Sequence, residues 1–68
     1  MDAQHRPLAI LRRKQVEQRT GLSRSTIYDR IKAGEFPAPV RLGEHAVGWL
    51  EHEVHDWLTA CIAESRQA

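Results

Sequence analysis

The sequence predicts a mainly α domain with a small β-hairpin, in the order strand, helix, helix, hairpin, helix. Three observations predict it. A short helical pattern runs into Thr20-Gly21, and a second one starts at Ser23, two residues later. Val40-Arg41-Leu42 and Ala46-Val47-Gly48-Trp49 are short apolar-alternating runs on either side of Gly43-Glu44-His45. Val54, Trp57, Leu58, Cys61 and Ile62 recur at i, i+3, i+4, i+7 and i+8, the apolar stripe of a helix.

Met1 to Pro7 is polar and reads as a flexible N-terminal tail, so the folded domain is expected over residues 8–68. Leu8-Ala9-Ile10-Leu11 is apolar but too short for a helix, and reads as a strand or extended segment. Arg13 to Arg19 reads as a first helix of about two turns, with Val16 as its clearest inward residue. Gly21 ends it, because glycine tolerates the left-handed conformation that helix termini favour. Ser23 can cap the second helix by accepting from a backbone N–H of its first turn. This helix should run to about Ala33, with Leu22, Ile27 and Ile31 inward and Tyr28 at the margin. At 100° per residue, Ser25, Asp29 and Lys32 lie opposite that face, and Thr26, Arg30 and Ala33 flank them. Gly34 stops the helix, and Phe36-Pro37-Ala38-Pro39 forbids more of it.

The hairpin is expected to have a three-residue loop, with Val40 and Leu42 inward and Arg41 outward. In the last helix Leu50 falls at the cap position without a capping oxygen. Glu51 and Glu53 compensate in part by placing negative charge at the positive helix end. Trp49 and Trp57 are large enough to dominate the core of a 68-residue chain, and loss of Trp57 is expected to be severe.

Size argues against an enzyme, because a domain this short leaves little room for an enclosed active site. No serine, cysteine or histidine stands in a nucleophile–base arrangement, and no phosphate-cradling glycine loop is present. His52 and His55 lie at i, i+3, but Cys61 faces the core nearly two turns on, so no zinc set forms. No cofactor and no metal are expected. There is no membrane-spanning run and no apolar h-region, and the lone cysteine fits a reducing compartment, so a cytoplasmic location is expected.

The net charge of +1 hides a polarity. Met1 to Gly43 holds nine Lys and Arg against four Asp and Glu, or +5; Glu44 to Ala68 holds one against five, or −4. The basic half also carries the helix-turn-helix pattern, which suits a polyanion. The second helix of such a pair is presented outward, in the geometry that enters the major groove of double-stranded DNA. Arg24, Ser25 and Thr26 stand at its leading end and are of the types that read base edges. Arg24 suits guanine or a phosphate. Thr26 serves either DNA or the helix start. Tyr28 is either a phosphate contact or a half-buried core residue. Asp29 either accepts from cytosine or holds Arg30 or Lys32. Arg13 and Lys14 are candidates for phosphate, and Arg41 and His45 sit where a wing approaches DNA.

The order of elements is that of a winged helix-turn-helix with a closing helix, and three phrases resemble the AlpA family of phage and mobile-element regulators, within the MerR-like and excisionase-like group. The first is Leu11-Arg12-Arg13-Lys14-Gln15-Val16 followed by Thr20-Gly21-Leu22-Ser23-Arg24-Ser25-Thr26-Ile27-Tyr28. The second is Gly34-Glu35-Phe36-Pro37-Ala38-Pro39-Val40-Arg41-Leu42-Gly43. The third runs from Ala46 to Leu58, through Val47-Gly48-Trp49-Leu50-Glu51-His52-Glu53. The resemblance implies a small DNA-binding protein that switches genes of an integrated element or assists its excision. It places Arg24, Ser25, Thr26 and Tyr28 on DNA and Arg41 on the wing. Glu17 departs from the general pattern, which prefers a small residue four before the glycine. Either the helices cross with more room, or Glu17 turns outward.

One such module reads few bases, so a homodimer or cooperative multimer on DNA is expected, with RNA polymerase or a recombinase as a further partner. Two other roles fit the same sequence. An excisionase-type architectural factor would bend DNA, and a protein-interaction adaptor would use the acidic last helix and bind no DNA.

Overall fold

The computed structural model describes residues 8–67. Its elements are β1 (Ile10–Leu11), α1 (Arg13–Thr20), α2 (Arg24–Lys32), β2 (Val40–Arg41), β3 (Val47–Leu50) and α3 (Glu51–Gln67). The expected N-terminal tail, residues 1–7, lies outside the described residues.

Local chemistry sets the helix–helix junction. Gly21 takes φ 75°, ψ 6°, and its N–H donates to the Glu17 carbonyl at 2.8 Å. Left-handed backbone of this kind is open to glycine and strained for most other residues. Thr20 reinforces the stop. Its hydroxyl donates to the Val16 carbonyl at 2.8 Å and accepts from Leu22 N–H at 3.2 Å. Gly34 takes φ 74° just past the end of α2.

The sheet is larger than the expected hairpin. β2 and β3 do pair antiparallel, with Val40 opposite Gly48 and Arg41 opposite Val47, and Leu42 N–H donates to the Ala46 carbonyl at 2.8 Å. β1 adds to the other edge of β3, with Ile10 opposite Leu50 and Leu11 opposite Trp49. The strand order is therefore β1-β3-β2. Of the two readings of the first apolar run, strand or extended segment, Ile10–Leu11 takes the strand.

The core comprises Leu11, Val16, Ile27, Phe36, Trp49 and Val54, with Leu22, Tyr28, Ile31, Val47, Trp57 and Leu58 packed around them. Trp49 is its centre. It is fully buried, its Nε1–H donates to the Pro37 carbonyl at 3.0 Å, and Tyr28 meets it edge-on at 6.2 Å. Trp57 has a lesser place than the sequence suggests. It is half-buried at the rim, T-shaped against Phe36 at 4.8 Å, with Nε1–H donating to the Glu35 carbonyl at 2.8 Å. These two indole bonds fasten the Pro-rich loop, one from the core and one from the rim.

One further expectation changes, the facing of β2. Leu42 does not turn inward: it is 45% exposed. Strand pairing places Leu42 and Val40 on the sheet face away from Trp49 and Arg41 on the Trp49 face, the reverse of the expected facing, because residues bonded across an antiparallel ladder share a face and alternate along it. Leu50 stands at the expected cap position, directly before α3, and is also the last residue of β3; the first helical N–H, from Glu51, donates to the Ala9 carbonyl at 2.8 Å. The residue just before β1 thus satisfies a donor that the helix leaves orphaned. Among the described residues no helix is long and apolar enough to cross a membrane.

Candidate nucleic-acid interface

α2 begins on a network of hydroxyls. Ser23 has extended backbone (φ −77°, ψ 165°), and its Oγ accepts from Thr26 N–H at 3.3 Å and donates to Thr26 Oγ1 at 2.9 Å. Ser25 Oγ lies 3.4 Å from Ser23 Oγ. At the helix start the Thr26 hydroxyl thus meets the capping side chain of Ser23 rather than the backbone. Ser23→Ala is expected to destabilise the domain by about 1 kcal/mol. A urea titration followed by circular dichroism checks this, and a parental midpoint would mean that the cap carries no stability.

Arg24 and Ser25 are exposed at the leading end of α2, and Asp29 and Lys32 are exposed further along it. Among the described residues, no hydrogen bond or ion pair engages the side chains of Arg24, Asp29 or Lys32. Their charged ends are thus available to a ligand. Arg30 is placed otherwise: half-buried, its guanidinium lies 5.9 Å from the centre of the Trp57 ring. That cation–π contact joins α2 to α3 on the flank away from Tyr28.

The flank of α2 that carries Tyr28 opens into a cleft lined by Arg12, Arg13, Lys14, Tyr28, His45 and Val47. Tyr28 is half-buried, its ring packs edge-on against Trp49, and it lines the wall of the cleft. The start of α1 supplies three consecutive cations. Gln15 Oε1 accepts from Arg12 N–H at 2.8 Å and fixes the first turn. The Arg12 side chain crosses to β3, where its Nε–H donates to the Val47 carbonyl at 3.0 Å. This bond ties α1 to the strand that carries one side of the hairpin.

Arg13 pairs with Glu17, one turn on, and both are half-buried. The unexpected acid at position 17 is thus partly exposed and paired with the arginine one turn before it. Arg13 and Lys14 also line a second concavity, with Glu17, Gln18, Gly21, Leu22 and Ser23. The α1 start is thus a ridge between the leading end of α2 and the hairpin loop. On the hairpin, Arg41 is exposed and its guanidinium reaches the Glu44 carbonyl at 3.4 Å. His45 is exposed at the loop and forms the far wall of the cleft.

The structure therefore gathers Arg13, Lys14, Tyr28 and His45 at one cleft, beside the exposed strip of Ser25, Asp29 and Lys32. Arg30 sits apart. Arg12 is the residue that sequence reasoning undervalued. Nothing in its local pattern separates it from Arg13 and Lys14, because its partner is 35 residues away.

The acidic half gathers on α3. Glu51 pairs with Arg19 of α1 at 3.0 Å, and Glu53 and Asp56 line a groove against Pro37, Ala38, Pro39, Val40 and Trp57.

Comparison with known proteins adds the following. Residues 9–62 match the family model described as prophage CP4-57 regulatory protein (AlpA). The DNA-binding transcriptional activator AlpA of Escherichia coli K12 is 41% identical over 56 residues, covering 74% of this chain and 80% of its own length. The uncharacterized protein ORF88 of Enterobacteria phage P4 is 51% identical over 54 residues, covering 79% of this chain. That alignment covers 61% of the phage protein, so the chain spans about three-fifths of that relative.

Proposed function

Because the chain belongs to the AlpA family, we propose that it is a sequence-specific DNA-binding regulator of genes carried by a prophage or another mobile element. The observation that carries this reading is the continuity of one surface, from the exposed strip of α2 across Tyr28 to the cationic cleft. The relative that bears the name of a DNA-binding transcriptional activator supports it, as does the phage origin of the other.

In this reading α2 enters the major groove, which admits one helix. Arg24 and Ser25 lead, Asp29 and Lys32 follow along the same outward strip, and Arg24 reads guanine. Beside the groove, the strand backbone crosses the cleft. Lys14, Arg12 and Arg13 meet phosphates, and Tyr28 and His45 bracket them. The β2–β3 hairpin acts as a wing, with Arg41 and His45 on the adjacent backbone. Base contacts give specificity, and the phosphate contacts hold the register and most of the affinity.

Fluorescence anisotropy on a duplex carrying the preferred sequence tests the reading. Arg24→Ala is expected to weaken binding by about 1–3 kcal/mol and to relax the preference at one base position, while circular dichroism stays parental. Parental affinity and preference in Arg24→Ala would take α2's leading end out of the interface.

A further inference from the structure

β3 lies between β1 and β2, and it outruns β1. Backbone groups of successive strand residues point to opposite edges of the strand. The Ala46 carbonyl accepts from Leu42 N–H at 2.8 Å, on the β2 edge. The Val47 carbonyl therefore points to the β1 edge. On that edge Glu51 N–H donates to the Ala9 carbonyl and Leu11 pairs with Trp49, so residue 13 is due opposite Val47. Arg13 is instead the first residue of α1. The chain leaves the sheet one rung early, and the Arg12 side chain takes the vacant place: its Nε–H donates to the Val47 carbonyl at 3.0 Å. The backbone of Arg12 is fixed as well. Its N–H donates to Gln15 Oε1 at 2.8 Å, and its carbonyl accepts from Val16 N–H at 3.0 Å.

We propose that Arg12 is the positioning residue of the wing: its bond to Val47 sets where the hairpin meets DNA relative to α2. The proposal rests on the DNA-binding reading above. Trp49 is fully buried and holds β3 in the core. Two residues away, Val47 is half-buried and stands opposite Arg41, at the root of the hairpin loop. Residues 41–45, beyond that root, are all exposed. Arg41 and His45 therefore take their placement from the root rather than from the core. α1 is the frame common to both DNA-facing parts. The turn at Gly21 joins it to α2, and the Arg12 bond joins it to the hairpin. Without that bond, β3 at Val47 is held along its β2 edge alone. Arginine suits the place better than lysine. A guanidinium carries five N–H donors in a fixed fork, so Nε can hold the carbonyl while the η nitrogens face phosphate in the cleft. A lysine ammonium is a single point and serves one of the two.

The test compares Arg12→Gln with Arg12→Met, each with and without Arg41→Ala, by fluorescence anisotropy on a duplex of the preferred sequence. Both Arg12 variants are neutral and of similar length. Glutamine puts an amide nitrogen at the place of Nε and keeps the bond to Val47 in a weaker, uncharged form, whereas methionine has no donor. Arg12 is exposed, so both should melt within a few degrees of the parent. Both should also flatten the salt slope equally, by about 0.9, as one lost phosphate contact. The bond is read by the double-mutant cycle. Arg41→Ala should weaken binding about tenfold in the parent and at least about fivefold in Arg12→Gln, but less than about twofold in Arg12→Met. An equal Arg41→Ala effect in the parent and in Arg12→Met overturns the proposal. So does loss of that effect in Arg12→Gln as in Arg12→Met, which assigns it to charge. An Arg41→Ala variant that binds like the parent takes the wing off DNA and overturns the proposal while leaving DNA binding intact. Failure of the parent to bind the duplex overturns the DNA reading itself.

Discussion

Trp49→Ala should leave the domain largely unfolded at room temperature. Trp49 is fully buried, meets Tyr28 edge-on, and holds the Pro37 carbonyl through its indole N–H. Truncating a buried tryptophan costs about 3–5 kcal/mol, through lost transfer energy and the cavity left behind. A single core in a chain of this size rarely supplies more than about 3–5 kcal/mol in total. The substitution therefore removes most or all of the margin. Trp57→Ala should cost less, about 2 kcal/mol, as the loss of one hydrogen bond, one edge-to-face contact and partial burial. Urea titrations followed by far-ultraviolet circular dichroism separate the two. A Trp57→Ala variant less stable than Trp49→Ala would invert the assignment of centre and rim.

The second large effect concerns salt. If the backbone of DNA crosses the cleft, Arg12→Gln with Lys14→Gln removes two phosphate contacts. The slope of log affinity against log salt should then become shallower by about 1.8, since each phosphate neutralised on B-form DNA contributes about 0.9. Affinity at low salt should fall by about 100-fold, while the preferred base sequence stays the same. Arg12 also donates to the Val47 carbonyl, so part of its effect comes from loosening α1 against the hairpin. Lys14→Gln alone, at an exposed side chain with no partner among the described residues, isolates the phosphate contribution, with a slope change of about 0.9. An unchanged slope in both variants would mean that the strand does not pass through the cleft.

These predictions draw on features that differ in how far the sequence discloses them. The turn between α1 and α2 was legible because its chemistry is local. Gly21 supplies the left-handed residue, and Ser23 caps the helix three residues before the N–H it accepts from. The outward strip of α2 followed from helical period alone. The place of β1 was not legible, since its partner Leu50 is 40 residues on and no short-range pattern names it. Period-two alternation likewise told which hairpin residues share a face, but not which face meets the core. Leu42 was assigned inward on hydrophobicity, whereas the register puts it on the face away from Trp49. The ranking of the tryptophans failed for a similar reason: helical period places Trp57 on the apolar stripe of α3, but it does not reveal that Val54 reaches the core and Trp57 only its rim. At the interface, α2 could be read from the chain, while the cleft could not, because it needs the α1 start to lie beside a hairpin loop more than 30 residues away.

Selection from random-sequence duplexes, followed by a salt series on the most tightly bound, addresses the central claim most directly. The account predicts enrichment of one motif, bound at least about 1,000-fold more tightly than unrelated DNA at moderate salt, with affinity falling steeply as salt rises. No binding even at low salt would contradict the account, and so would binding of all sequences with equal affinity.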